Sequence, residues 1–552
     1  MKHSNTVFSG RLFVIIMMTV GFFGCNKDYL EVSPQDRISE SVLWSSKENA
    51  DLFLNDMYSE LPDIHVWRHG TSAEDAEENF SDNSMNGVEW RYSRAVYAKS
   101  LYTPSNAPNH WFWYNSIRKA NLFIGSIANA ELDNAWKKER LAEARFLRAL
   151  FYQMLWIHYG GVPIITKVQN RESEGDSIYQ PRSSSDEVYR FITSELAAIA
   201  PDLLLTPQSG RASKGAALTL KAWCDLYQAS PLNNTNNESA RWVSAASAHK
   251  EVMDLGIYDL FPDYASMFLE QNNGNVETIF AKKHIGGTPL GGLYIIEATV
   301  PYHRETFAGD GSYTPTQELV DDYSMANGLP ITNPASGYDP QNPYLNREKR
   351  FYQTVIYNGS VWRDDTIKTW VGSNSKNSLD KASASEAGNT GYYIRKGLDT
   401  KYSQNWNKTS SQDFIIFRYA EVLLSYAEAQ NEVSGPDASV YEAINKVRAR
   451  SELPDLAGLS KDQMRIAIRR ERRVELAFEE KRWLDIRRWK IAMQELNGFL
   501  HAMEITRVND QFKYTVIPAP SGERIFYEKN YLLPIPQNAI DRNPRLTQNP
   551  GY

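Results

Sequence analysis

The stretch RRERRVELAFEEKRWLDIRRW, residues 469–489, packs carboxylates among arginines. Two carboxylates flanking a bond are the machinery of glycoside hydrolysis. On a helix, however, Arg472–Glu475, Glu479–Arg482 and Asp485–Arg488 stand at i,i+3, which is ion-pair spacing. That reading makes the block scaffold and assigns no catalytic residue. A second stretch, DNSMNGVE, begins like a calcium loop, with Asp82, Ser84 and Asn86 at alternating positions and Gly87 sixth. Its twelfth position is Ser93, where a bidentate Glu belongs, so an ordinary polar turn is expected there. The nine histidines are scattered without an HExxH, and GxSxG, P-loop and dinucleotide fingerprints are all missing. Neither a metal nor a cofactor is expected.

The aromatic residues remain. A sugar ring offers an apolar face to Trp or Tyr, and its hydroxyls need charged or amide side chains alongside. The chain has 14 Trp and 31 Tyr, more than core filling alone calls for. Trp67 in DIHVWRHG, Trp90 in NGVEWRYS, Tyr302 in TVPYHRE and Trp362 in GSVWRDD sit in polar, loop-like sequence. Each has an arginine beside or near it: Arg68, Arg91, Arg304 and Arg363. These residues, with Arg68 and Arg304 foremost among the arginines, are the expected ligand platform. Trp111, Trp113 and Tyr114 share a helical pattern with Ile117 and are expected in the core.

The N-terminus says where such a platform would be displayed. Lys2 and Arg11 flank the apolar run 12–23, which is too short to span a bilayer of about 30 Å. Gly24 and Cys25 follow, and a basic flank, short apolar core and small residue read as a secretory signal. The "FFGC" ending resembles a bacterial lipoprotein signal, with Cys25 lipidated as the mature N-terminus and acyl chains as the membrane anchor. Residues 1–24 are then signal peptide and 25–40 a polar tether. Cys224 is left as the sole thiol of the mature chain, in a helical pattern that suits a buried core position. A net charge of −7 without a basic stripe argues against nucleic acid.

The elements that must position these residues read as helix after helix over about 41–258. Residues 110–160 suggest a hairpin stopped by Gly160–Gly161 and Pro163, and SSSDEVYRFITSELAAIAPDL starts with N-cap candidates. The centre, about 259–412, is rich in Gly, Asn, Ser and Thr with short β-like pieces. Within it GSNSKNSLDKASASEAGNTG, residues 372–391, reads as an exposed loop. Helices return over about 413–552, through FRYAEVLLSYAEAQNEV and a long charged helical region at 461–490.

AEARFLRALFYQMLWIHYGGVPI, FRYAEVLLSYAEAQNEV, the 469–489 block and YLLPIPQNAIDRNPRLTQNPGY resemble the signature blocks of the SusD/RagB family, in family order. YTPTQELVDDYSMANG is similar to its central block. The resemblance implies a mainly α fold: tetratricopeptide-like helix pairs, an α-solenoid scaffold, carrying a loop-rich, partly β irregular binding region over 41–552. It implies a lipid-anchored outer-membrane protein, facing the cell exterior. Such a protein captures oligosaccharide, without chemistry of its own, for a SusC-like TonB-dependent transporter. Peptide or glycopeptide capture in the RagB manner, and surface glycoside hydrolysis, are the alternatives.

Overall fold

The computed structural model describes residues 40–62, 77–87, 96–285, 300–381 apart from 305, 308 and 310, 389–401 and 410–552. Cys25, Trp67, Arg68 and Trp90 lie outside these residues.

The first half is built from helices: α1 (Lys47–Ser59), α2 (Trp113–Asn129), α3 (Asn134–Tyr159), α4 (Ser185–Ile199), α5 (Lys214–Ala229) and α6 (Ser239–Met253). Sequence neighbours pack on one another, α2 on α3 and α5 on both α4 and α6. Their ends are chemically marked. Ser184 and Glu187 close a capping box at the start of α4, satisfying two orphan backbone donors. Gly160 ends α3 at φ 71°, a conformation that costs a side chain. Cys224 is fully buried within α5.

The second helical group is α7 (Tyr419–Ser434), α8 (Ala438–Arg450), α9 (Lys461–Glu475) and α10 (Arg482–Arg488), with the short α11 (Gln537–Arg542) near the end. The antiparallel strands β1 (Thr278–Lys282) and β2 (Phe414–Arg418) join the halves, and α7 packs on both α6 and α9. Apolar faces from both groups share one large core, from Ala50 to Leu546. The fold is mainly helical, as expected.

Two expectations for the C-terminal part change. The charged region 461–490 is not one helix: Phe478 and Glu480 take φ of 62° and 60°, which breaks it between α9 and α10. The long hairpin β3 (Gly498–Val508) and β4 (Gln511–Arg524) also lies within a part read as helical. Its turn is Asn509–Asp510, both at positive φ, a pair suited to a tight hairpin.

The loop-rich centre makes a second, smaller core. Val300, Tyr323, Phe351, Trp362, Tyr392 and Tyr393 pack there with Val474 from the last turn of α9, Phe478 from the α9–α10 break, and Met503 and Ile505 from β3. The stretch 372–391 is the exposed loop expected only in part, with Asn374, Lys376 and Asp380 exposed. In its described part Ser375, Asn377, Ser378, Asn389 and Thr390 are buried. Their side chains are spent on backbone: Asn377 accepts from the Tyr302 N–H at 3.1 Å, and Asn389 donates to the Gly87 carbonyl at 3.1 Å. Short polar side chains can thus stand in for apolar ones where backbone without regular structure must be buried.

Candidate functional site

The densest charge in the molecule lies between the two cores. Arg418, the last residue of β2, reaches Glu479 through Nε at 2.7 Å and Glu277 and Glu475 through Nη1 at 2.7 and 2.6 Å. Arg350 binds Glu475 at 2.9 Å and Glu348 at 2.7 Å, Arg450 binds Glu277 at 2.7 Å and also pairs with Glu475, and Lys396 binds Glu479 at 2.5 Å. All of these except Arg450 rank among the most buried polar side chains, and Arg450 keeps only 3% of its side chain exposed.

Burial alone would raise the Glu475 carboxyl, but Arg450, Arg418 and Arg350 hold it far below the usual carboxylate range. Burial conversely pulls the Lys396 ammonium down to about 8 against the attraction of Glu479. The scaffold reading of the block is right in outcome and wrong in detail. Glu475 pairs with Arg350, Arg418 and Arg450 rather than Arg472, and Glu479 with Arg418 and Lys396 rather than Arg482. Of the three i,i+3 pairs expected, Asp485–Arg488 forms, at 2.8 Å. With each carboxylate enclosed by cations, the pair has no open face for a glycosidic bond.

Asp82 is no calcium ligand either. Arg482 grips both its oxygens at 2.8 Å and Arg473 approaches within 2.8 Å. Burial pushes this carboxyl up, and the two guanidiniums outweigh it and hold it well below its ordinary value. Its described residues, 82–87, are buried and form an anchor rather than an ordinary polar turn.

The expected platform residues fall into three groups. Trp67, Arg68 and Trp90 lie outside the described residues. Trp362 is corrected: it is 2% exposed in the second core, because strand alternation turns it inward and sends Val361 outward at 54%. Its ring has no face to offer a sugar. Tyr302 and Arg304 do reach a common surface. They belong to a hairpin, Tyr302–His303 paired with Thr306–Phe307, which abuts a second one, Val361–Trp362 paired with Asp365–Thr366.

In each hairpin the first strand is followed directly by an arginine at positive φ, Arg304 at 50° and Arg363 at 58°. Glycine or asparagine fits that position better. The tips are tied together by the Arg304 N–H, which donates to Asp365 at 2.7 Å, and by the Arg304–Asp364 ion pair. Lys376 places its ammonium 4.6 Å from the centroid of the half-buried Tyr302 ring. An aromatic ring on the same hairpin as exposed charged side chains is the kind of surface a hydroxyl-rich ligand requires.

The chain around this rim is held at close quarters. Gly87 N–H donates to Gly311 at 3.0 Å, and a Cβ on Gly87 would come within 2.3 Å of that oxygen. Gly311 in turn lies against Pro301. Gly87 and Pro301, the residue before Tyr302, are therefore both held against Gly311.

Sequence reasoning missed two features. Trp113 is core as expected, but Trp111 and Tyr114 are half-buried and line a cleft of about 360 Å³ with Asn109, Asn115, Gln180 and Arg542. Asparagines flanking the aromatic run NHWFWYN were the available signal. Glu77, His110 and His158 also converge, with ligand atoms within 4.8 Å of one another. They are too far apart in sequence for any spacing rule to find.

Comparison with known proteins agrees with this architecture. Residues 282–552 match the family model described as "SusD family", and residues 28–223 match one described as "Starch-binding associating with outer membrane". SusD-like protein P38 of Formosa agariphila is 24% identical over 526 residues, covering 90% of this chain and 94% of that one. A SusD-like carbohydrate binding protein from Bacteroides fragilis superposes with TM-score 0.76 at 27% identity, over 92% of this chain and all of the other. A second SusD-like protein of Bacteroides fragilis superposes with TM-score 0.78 at 30% identity, covering 94% of this chain and 100% of its own. Ordered signature blocks, a helical scaffold around a loop-rich second core and this likeness over nearly the whole length agree: the chain belongs to the SusD family.

Proposed function

We propose that this protein is a cell-surface glycan-binding lipoprotein, anchored through Cys25, that captures oligosaccharide and hands it to a SusC-like TonB-dependent transporter in the outer membrane. The observation that carries the glycan reading is the rim at the two hairpin tips. There the half-buried Tyr302 ring lies under the Lys376 ammonium, two residues along the chain from the exposed Arg304–Asp364 pair, and two arginines occupy strained turn positions that stability alone would give to glycine. Membership of a family described as starch-binding and outer-membrane-associated, and a relative named as carbohydrate binding, support it. Among the described residues no helix is long and apolar enough to cross a membrane, and the attachment in this reading is the lipid on Cys25. The protein does no chemistry in this reading: its most carboxylate-rich block is enclosed by arginines.

The test is an oligosaccharide array on the purified full chain, followed by calorimetry of responsive sugars with Tyr302→Ala. Loss of a central aromatic anchor should weaken binding at least about thirtyfold, or ~2 kcal/mol. Undiminished affinity moves the site away from Tyr302. Response to peptides alone replaces the ligand class. For the partner, the protein should co-purify from outer membranes with a TonB-dependent transporter, and its absence there would remove the delivery step. A second location has its own support, the concave cleft at Trp111 and Tyr114. If Trp111→Ala abolishes binding where Tyr302→Ala does not, the glycan sits there.

A further inference from the structure

Glu77, His110 and His158 come from three different elements. Glu77 opens the segment that runs to Asp82, His110 stands just ahead of α2, and His158 is in the last turn of α3. The two imidazoles lie face to face, with centroids 3.6 Å apart and planes 9° from parallel. Their Nε2 atoms meet the same carboxylate oxygen, Glu77 Oε1, which is 2.5 Å from His158 and 3.6 Å from His110.

The tautomer of His158 follows from its other nitrogen. Nδ1 is 2.7 Å from the Met154 carbonyl oxygen, which can only accept, so Nδ1 carries a hydrogen. Nε2 is thus the atom directed at Glu77. An imidazole tied back through Nδ1–H to a carbonyl, with Nε2 aimed at a shared point, is how proteins orient metal-binding histidines. Both histidines are buried. Glu77 also lines an adjoining cavity of about 90 Å³ with Gln153, Trp223 and Lys481, which gives an ion a way in. At 2.5 Å a hydrogen also lies between His158 Nε2 and Glu77 Oε1, and a metal ion binding there takes its place and releases one proton.

We propose that Glu77, His110 and His158 form a binding site for a divalent transition-metal ion, zinc foremost, that fastens the Glu77 segment to the helical core. Two imidazole nitrogens and one carboxylate oxygen suit zinc, with bonds of about 2.0–2.2 Å and a fourth position left for water. The donor set disfavours calcium and magnesium, which take oxygen ligands. On metal binding, Glu77 Oε1 and His158 Nε2 must part from hydrogen-bond distance to about 3.3 Å, the separation of two ligands in a tetrahedral zinc shell, and the His110 ring must turn out of its stack on His158 so that both Nε2 lone pairs converge on the ion.

The experiment uses the purified full chain, stripped with a chelator and titrated with zinc chloride by calorimetry. Cobalt(II) is added in parallel as a spectroscopic reporter. One equivalent of zinc should bind, and cobalt should show the intense visible bands of a four- or five-coordinate ion. His110→Ala should weaken zinc at least about a hundredfold. A His65→Ala/His69→Ala variant should bind as wild type, which removes the pair of histidines four residues apart as the source. No zinc uptake by wild type overturns the site, as does uptake that survives His110→Ala or is lost in the His65→Ala/His69→Ala variant. If His110→Ala does not fold, Glu77→Gln and zinc-edge X-ray absorption of the wild-type complex decide. Fewer than two imidazoles around the zinc, or undiminished binding by Glu77→Gln, would equally overturn it.

Discussion

The junction around Glu475 and the rim around Arg304 use the same chemistry, arginine against carboxylate, in opposite surroundings. At the junction Glu475 and Arg350 are fully buried, while at the rim the Arg304 and Asp364 side chains are 57% and 65% exposed. Taking a charge out of water costs several kcal/mol, and only a closed set of partners makes that tolerable. An exposed pair has no such debt and contributes about 0–1 kcal/mol. The difference shows that charge density alone does not mark a binding site. The block richest in arginine and carboxylate is largely buried, whereas the sparser rim is exposed.

The sharpest way to break this contrast is Glu475→Gln. It leaves Arg350, Arg418 and Arg450 short of a buried counter-charge and should destabilise by about 3–5 kcal/mol, read from urea denaturation. A loss below 1 kcal/mol would mean that water reaches the junction. Trp362→Ala should cost a similar ~3–5 kcal/mol through the cavity left in the second core. If it instead weakened glycan binding at unchanged stability, Trp362 would belong to the platform after all.

Acid separates the regions next. Glu475, Asp82 and Glu77 all have folded values below their ordinary ones. Their stabilisation is therefore complete above about pH 4.5 and drains away as pH falls through the folded values. Burial holds His249 down to about 4, so a further loss runs between 6.5 and about 4, where the unfolded chain takes the proton first. The neighbouring carboxyls of Glu78 and Glu480, both pushed up mainly by burial, oppose this: above pH 4.5 the folded chain is the form that takes the proton first. The urea midpoint should accordingly change little from pH 7 to 4.5 and fall steeply below. A midpoint sustained at pH 3.5 would contradict the paired junction.

The smallest expected effect is at the rim. Arg304→Gly loses an exposed ion pair but relieves a left-handed arginine, so stability should shift by less than about 1 kcal/mol while glycan affinity drops. A larger loss of stability would make the rim structural.

Much of the scaffold was legible because it rests on local rules. The Ser184–Glu187 box, the glycine stop at Gly160 and the 110–160 hairpin each depend on residues a few positions apart. The site was less legible, because exposure is set by partners distant in sequence. Trp362 sits in polar sequence, yet strand alternation turns it into a core that 300–398 builds with β3. Asn377 and Ser378 look like loop filler and are buried because Tyr302 and Trp370 supply backbone partners. Glu475 was assigned a neighbour on its own helix and found its cations on three other segments.

That last arrangement also bears on how the chain folds and how long it stays folded. Glu277, Arg350, Lys396, Arg418, Arg450 and Glu475 span some two hundred residues, so loops of fifty residues or more must close before these charges can neutralise one another. Contacts of such separation slow folding. In the reverse direction, parting the two cores exposes charges before solvent can replace all their partners. Such a barrier resists unfolding separately from equilibrium stability. The junction acts as a latch that sets late and opens slowly, so the two cores should melt in one transition rather than two.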